Sequence, residues 1–125
     1  MDRQILGETT ASYSLGVSVP AGRLVFISGT VAMDDDGQVV GLGDMETQSR
    51  YVFEQIGKLL QEAGATFDNV VKITTFVTDL TDYGKFSSVR QEVFGDGPYP
   101  ASSTVKVAGL VVDGLLLEVE AIAVV

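Results

Sequence analysis

The last eleven residues, LLLEVEAIAVV, constrain the fold more than any other stretch, because an extended chain there has two apolar faces. Successive side chains of a β-strand point to opposite faces of its sheet. One face is apolar throughout and consists of Leu117, Val119, Ala121, Ala123 and Val125. The other is apolar at its ends and carries two carboxylates between them: Leu116, Glu118, Glu120, Ile122 and Val124. We therefore expect a sheet that helices cover on one side and a partner subunit covers in part on the other.

The middle of the chain carries the strongest helix signal. Asp44 precedes it as a candidate N-cap, and Gly64 fits the position that ends a helix. The side chains of one helix face recur at helical spacing and are predicted to be buried: Val52, Ile56, Leu59, Leu60 and Ala63. A long β-branched strand is predicted next, over residues 69–77.

Weaker signals complete the order of elements. A short apolar strand over residues 23–29 precedes the strong helix. A second helix over residues 83–94, with Asp82 as a candidate N-cap, and a strand over residues 104–108 come later. The order of these elements is strands, helix, strand, helix and two strands. This order predicts a single α+β domain over residues 1–125, with two helices on one face of a mixed sheet.

The composition excludes several kinds of chemistry. The chain has no cysteine and no histidine, which excludes thiolate nucleophiles, Ser-His-Asp triads and Cys- or His-ligated metals. The three aspartates before Gly37 lack the spacing of a calcium loop, so we expect a solvated turn and no metal there. Proton transfer then falls to carboxylates, Tyr, Lys or water.

Charge and hydropathy restrict partners and location. A formal charge of −9 with only eight Lys and Arg argues against a nucleic-acid partner. The apolar runs are too short to cross a bilayer, and the N-terminus has no long apolar stretch typical of a secretory signal. We therefore expect a cytoplasmic protein without a membrane partner.

Several motifs together resemble the RidA/YjgF/UK114 family of reactive-intermediate deaminases. They are ASYSLG around Tyr13, VFISGT with Ser28 and Gly29, the segment over residues 44–83, PASSTVKV and LEVEAIAV. No single motif is specific, but their order and spacing are. The resemblance implies a chorismate-mutase-like fold and a homotrimer, in which the sheets form a central barrel and small molecules bind in clefts between subunits.

The resemblance also implies a chemistry, namely the hydrolysis of small enamines and imines to keto acids and ammonia without a cofactor. It implies that Glu118, aligned with one inserted residue in GLVVDGL, is the catalytic acid and acts with an ordered water. It implies a substrate-binding set that includes an aromatic from the neighbouring subunit at Tyr83: Tyr13, Ser28, Gly29, Tyr83, Ser87, Ser102 and Thr104.

The chain departs from the family at the arginine of its motif and at Ser87, where the family commonly has an asparagine. Where the family has Pro-Ala-Arg-Ser, this chain has Pro100-Ala101-Ser102-Ser103, so the arginine that binds the substrate carboxylate is a serine. A serine donates one hydrogen bond but cannot neutralise a carboxylate, whereas a guanidinium does both. We therefore expect a substrate unlike the family's usual one, for example one without a carboxylate.

Another arginine is an alternative source of the missing cation. Arg50 and Arg90 lie on the two predicted helices, although arginines on helix surfaces usually face water. The sequence leaves open whether either reaches the site.

The serine pair and the glutamate each have competing interpretations. Without a histidine, Ser102 or Ser103 would need a nearby lysine, such as Lys72 or Lys106, to act as a nucleophile, so a pocket-lining role is favoured. Glu118 is either the catalytic acid or a solvated or interface-paired carboxylate.

Three functions follow from these interpretations. An enamine or imine hydrolase acting on a non-archetypal small substrate comes first. A non-catalytic small-molecule-binding or regulatory trimer is the alternative, favoured by the lost arginine. A ribonuclease or translation inhibitor is disfavoured by the acidic charge and the absence of histidine.

Overall fold

Six strands and two α-helices form within residues 2–125, the part of the chain that this computed structural model describes. They are β1 (Gln4–Leu6), β2 (Gly16–Ser18), β3 (Leu24–Val31), α1 (Met45–Glu62), β4 (Val70–Val77), α2 (Tyr83–Phe94), β5 (Ala101–Lys106) and β6 (Leu117–Val124). A short 3₁₀ turn, Phe67–Asn69, precedes β4. No helix among these residues is both long and apolar enough to cross a membrane.

The main sheet has the strand order β3-β6-β4-β5. β6 runs antiparallel to both of its neighbours, and β5 runs parallel to β4. The two helices pack against each other and share one core with the sheet. This arrangement confirms the predicted α+β class with a mixed sheet. The short strands β1 and β2, which form a separate two-stranded sheet, were not predicted.

The inner face of β6 is the predicted one. Leu117, Val119, Ala121 and Ala123 are at most 2% exposed and belong to the core. Val125 was predicted to join them, but its side chain is 43% exposed. The prediction is wrong there because β6 ends at Val124, so Val125 lies outside the strand that packs against the core.

Helix α1 begins and ends as its capping residues predict. The carboxylate of Asp44 accepts a hydrogen bond from the backbone N–H of Thr47 at 3.1 Å, and Gly64 follows the helix with φ of 75°. Val52, Ile56 and Leu60 are buried, but Leu59 is 44% exposed, which corrects its predicted place in the core. Because Leu60 occupies the centre of the buried face, Leu59 is rotated to the margin of α1, beside β3.

Two features of the second half differ from the sequence prediction. Asp82 stands at the N-cap position of α2 but caps no backbone N–H, and its carboxylate lies 3.7 Å from the ammonium of Lys85 instead. β5 begins at Ala101, three residues earlier than predicted, because parallel pairing with β4 draws Ser102 and Ser103 into the sheet. The start of β5 reflects a tertiary contact that is absent from the local pattern, whereas the Asp82–Lys85 ion pair lies within the first turn of α2.

The face of the sheet opposite the helices is partly apolar. Phe26 pairs with Ile122 across β3 and β6, and its side chain is 71% exposed. Leu24, two residues earlier on the same face, is 55% exposed. Contiguous exposed apolar surface of this kind marks an interaction site more often than a solvated face.

Candidate active site

A pocket of about 290 Å³ lies between β5, α2 and the segment that contains Tyr13. We call it the Arg90 pocket, and it is lined by Tyr13, Leu80, Tyr83, Arg90, Ser102 and Thr104. Ser102 and Thr104 face α2 because the register of β5 places them opposite Ile73 and Thr75, the buried side chains of β4. Four of the predicted substrate-binding residues thus line one pocket.

The Tyr13 segment is fixed to the beginning of β5 through its neighbour. The backbone N–H of Ser14 donates to the carbonyl of Pro100 at 2.9 Å, and its hydroxyl donates to the carbonyl of Tyr99 at 2.6 Å. Both bonds cross more than eighty residues of sequence, so the position of Tyr13 depends on the closed fold. Tyr13 then covers the guanidinium of Arg90, whose central carbon lies 5.4 Å from the ring centroid.

Arg90 is the only buried cation among residues 2–125, with 3% of its surface exposed. It lies on α2 seven residues after Tyr83 and three after Ser87, on the same helix face. Its Nη1 is 3.4 Å from both the Tyr83 and the Ser102 hydroxyls. Its Nη2 is 3.4 Å from the Ser12 hydroxyl and 3.3 Å from that of Ser87. The structure thus brings Ser87 to the same cation as Tyr83 and Ser102.

The charge of Arg90 is not balanced by a carboxylate in the described part of the chain. The ion pairs found there involve Arg50, Lys58 and Lys85. The Nε of Arg90 is buried and makes no hydrogen bond at all. A guanidinium stays protonated in proteins, and an unpaired buried charge is costly. The pocket therefore holds a fixed positive charge that lacks its counterion.

This arrangement answers the question that the sequence left open, because Arg90 reaches the pocket and Arg50 does not. Arg50 faces water, and its guanidinium lies 2.7 Å from Glu92 and 3.8 Å from Glu46. The bonded Glu92 carboxylate raises the pKa of Arg50, and Arg50 in turn lowers the pKa of Glu92. Arg90 instead follows buried Phe86 by four residues, which is the sequence signal that could have revealed its burial.

The remaining predicted residues form a second group on β3 and β6, which we call the Glu118 group: Ser28, Gly29 and Glu118. The pairing of β3 with β6 shifts register between Ile27 and Thr30, so Ser28 and Gly29 form a bulge. A Cβ placed on Gly29 would lie 2.5 Å from the carboxyl carbon of Glu118. The half-buried Glu118 side chain therefore occupies space that only a glycine leaves open.

The two groups lie apart within one chain. Glu118 pairs with Phe76 of β4, which pairs with Val105 of β5, so two strand spacings of about 4.8 Å each separate β6 from β5. Glu118 also projects from the face opposite the helices, whereas Ser102 and Thr104 face α2. A single chain cannot bring the carboxylate of Glu118 to the Arg90 pocket.

The serine pair divides between the two faces of the sheet. Ser102 contacts Arg90, which cannot accept a proton, so Ser102 lacks an activating base there. The Ser103 hydroxyl lies 3.1 Å from the ammonium of Lys72 and has the nearby lysine that a nucleophile would need. Ser103 faces away from the Arg90 pocket, however, and we leave it out of the candidate site.

Comparison with known proteins assigns the family. The sequence model of the family described as Endoribonuclease L-PSP matches residues 5–125. A RutC family protein of Pyrococcus abyssi is 38% identical over 111 residues, which cover 89% of this chain and 84% of that protein. The 2-iminobutanoate/2-iminopropanoate deaminase of Mus musculus is 34% identical over 126 residues, covering 98% and 91%.

A solved structure agrees over the whole chain. The Rid-family protein YyfB of Yersinia pestis, described as a protein of unknown function, superposes with a TM-score of 0.90 at 27% identity and 100% coverage of both chains. Sequence and structure therefore lead to one assignment: this chain belongs to the RidA/YjgF family.

Proposed function

We propose that the protein hydrolyses small enamines or imines without a cofactor, at a site shared between copies of the chain. The observation that carries the proposal is the contact of Glu118 with Gly29, because the β3 bulge is shaped around that carboxylate. Bulges frequently re-aim side chains next to active sites. Family membership and the deaminase name of the mouse relative support the same reaction class.

In this proposal, Glu118 moves the protons of the hydrolysis. An imine reacts in its protonated form, which an enamine reaches by taking up a proton from solvent on carbon. The Glu118 carboxylate accepts a proton from water as the water oxygen forms a bond to the C=N carbon, and the C=N π electrons become the lone pair of the amino nitrogen. The resulting carbinolamine takes that proton back on nitrogen, the C–N bond breaks to release ammonia, and the hydroxyl group gives its proton to Glu118 as the carbonyl forms. The chain has no histidine or cysteine that could replace Glu118 in this role.

A second copy of the chain is required to complete this site. The Glu118 group and the Arg90 pocket lie on different strands and opposite faces of the sheet, so they can meet only across an interface. The exposed apolar side chains of Leu24 and Phe26 lie on the face that such an interface would cover. We propose the family's homotrimer as the assembly, with closed cyclic symmetry that repeats one interface three times.

The first test is turnover of 2-aminoacrylate generated in situ, with keto-acid release as the readout. We expect the protein to accelerate release, and Glu118→Gln to lower the acceleration about 10²- to 10⁴-fold because it removes the general acid–base group. Glu120→Gln is the matched control, since Glu120 lies on the same strand face and is exposed. Equal losses in both variants, or an inert protein that still binds small ligands, would favour the non-catalytic alternative.

The second test addresses the shared site. Ser102→Tyr fills the Arg90 pocket, and Glu118→Gln removes the carboxylate, so each homogeneous variant is expected to be inactive. Equal amounts of the two variants are then mixed so that their subunits exchange at random. Half of the pockets and half of the Glu118 positions are intact, so an intact pocket meets an intact Glu118 at about a quarter of the interfaces. Recovery of about that fraction of activity supports a shared site, whereas no recovery after verified subunit exchange contradicts it.

We do not propose a ribonuclease activity. The formal charge of −9 repels a phosphate backbone, and the chain has no histidine for the proton transfers of RNA cleavage.

A further inference from the structure

We infer that Arg90 binds the anionic end of the ligand, so the site takes a small carboxylate that is held from helix α2 and not from the strand motif. The inference rests on the proposed function for the reaction that follows binding. It departs from the expectation of a substrate without a carboxylate, which was based on Ser102 alone.

The hydrogen bonds of Arg90 show how weakly its donors are satisfied. All four contacts with hydroxyl oxygens measure 3.3–3.4 Å, beyond the 2.7–3.2 Å that is usual for N–H···O bonds. The buried Nε has no partner. A guanidinium has five N–H donors and prefers a carboxylate, which accepts two of them at shorter distance. The N–H donors of Arg90 therefore remain available to an anion from outside the chain.

The pocket supplies further donors around Arg90. Its Nη1 contacts the hydroxyls of Tyr83 and Ser102, and both of these side chains line the pocket. Each hydroxyl can turn its hydrogen toward a bound oxygen. A carboxylate in the pocket would thus receive one charged and two neutral donors from the same side.

The acidic charge of the whole chain does not prevent such binding. None of the side chains that line the Arg90 pocket is acidic. Repulsion from distant exposed carboxylates is screened over about 8–10 Å at physiological salt, whereas contact with a buried cation is screened much less. The local charge therefore decides affinity, and the net charge mainly slows the approach of anions.

Ser102 fits this arrangement as a neighbour of the relocated cation. An arginine there would place a second guanidinium next to Arg90, whose Nη1 is 3.4 Å from the Ser102 oxygen. Two like charges so close would repel each other, whereas a serine gives Arg90 a hydrogen-bond partner. In this inference the pocket keeps one cation, which comes from the arginine on α2 and not from the serine position of the motif.

The test is a calorimetric titration of the full-length, assembled protein with pyruvate and with pyruvamide, its neutral analogue of similar shape. We expect wild type to prefer pyruvate, and Arg90→Met to weaken pyruvate binding about 10- to 100-fold while pyruvamide binding stays unchanged. Arg50→Met is the matched control and should keep the preference. A wild type without the preference, or an Arg90→Met variant that retains it, overturns the inference.

Two further variants separate binding from a structural role. Ser102→Arg in the Arg90→Met background should restore the preference for pyruvate, which a merely structural Arg90 would not predict. Arg90→Lys keeps the charge but loses the paired N–H donors of the guanidinium, so an intermediate preference for pyruvate is expected. This variant provides the test if Arg90→Met fails to fold. Full affinity in Arg90→Lys, or no rescue by a folded double variant, would count against the inference.

The remaining outcomes distinguish ligand class and function. Inorganic phosphate should bind more weakly than pyruvate, and tighter binding of phosphate refutes the carboxylate assignment. Arg90-dependent pyruvate binding without enamine hydrolysis would refute the proposed function alone. Hydrolysis of 2-aminoacrylate that Arg90→Met leaves unchanged would refute the role of Arg90 alone.

Discussion

Replacing Arg90 by methionine is expected to leave the ligand-free protein as stable as wild type, or to make it more stable. In most proteins a change at a side chain that is 3% exposed is destabilising. Here the buried group is a cation without a carboxylate partner, and a binding site that holds such a group is stabilised by its removal. The stability of the variant therefore reports directly on whether Arg90 is a scaffold or a binding group.

The magnitude follows from the contacts of Arg90. Four long hydroxyl contacts are worth about 0.5 kcal/mol each, the lower end for hydrogen bonds. Two cation–π contacts, at 5.4 and 5.6 Å, contribute about 0.5–1 kcal/mol each. The opposing desolvation of one buried ion is several kcal/mol, and a methionine regains some apolar burial. We expect a free energy of unfolding that is unchanged within about 1 kcal/mol or raised by up to about 2 kcal/mol.

The measurement is urea unfolding without ligand, in which the midpoint shifts and the slope stays constant. A loss of more than about 3 kcal/mol in Arg90→Met would refute the reasoning, because it would show that the hydroxyl and ring contacts outweigh desolvation. Repeating the unfolding with pyruvate at a hundredfold excess over its Kd should stabilise wild type by about 2.7 kcal/mol. The same pyruvate concentration should leave Arg90→Met almost unchanged.

Three other perturbations test the structure independently. Gly29→Ala should lower hydrolysis as strongly as loss of the acid does, with little change in Tm, because its Cβ displaces the flexible end of Glu118; unchanged turnover would contradict the contact. Gln48→Leu should cost about 2–4 kcal/mol in urea unfolding, since the buried Gln48 amide bonds one backbone N–H and two carbonyls. Hydrogen bonds from Thr47 lower the pKa of Asp44, so its charge stabilises the fold above the unfolded pKa of about 3.9 and the contribution is lost as pH falls. The Tm difference between wild type and Asp44→Asn should therefore shrink below about pH 4, and a difference that is constant from pH 7 to pH 3 would count against this cap.

Local signals predicted the parts of the fold that depend on local contacts. The two faces of β6 follow from a period of two residues, and its inner face is buried as expected. The start of α1 at Asp44 and its end before Gly64 follow from capping, which involves residues within one turn. The bounds of α2 were predicted as well, although Asp82 does not act as a cap.

Tertiary pairing decided the features that the sequence did not predict. β5 begins at Ala101 because β4 offers a parallel partner there, and nothing in the residues before Thr104 indicates that pairing. The burial of Arg90 likewise needs Tyr13 and Ser12, which are more than seventy residues away in sequence. A propensity rule that places arginines in water describes an isolated helix, not a helix face that a distant segment covers.

The candidate site shows why a motif and a charge should be judged separately. A motif fixes the backbone position of a side chain, but a ligand responds to where the charged atoms are. An arginine side chain is long, so its guanidinium can reach the same pocket from a helix or from a neighbouring strand. The contact of Arg90 on α2 with Ser102 on β5 shows this. The serine in Pro-Ala-Ser-Ser indicates a lost cation when the motif is taken alone, whereas the fold places the guanidinium of Arg90 beside that serine. In the function that we propose, the reaction then depends on the Glu118 carboxylate and on the interface that would bring it to Arg90.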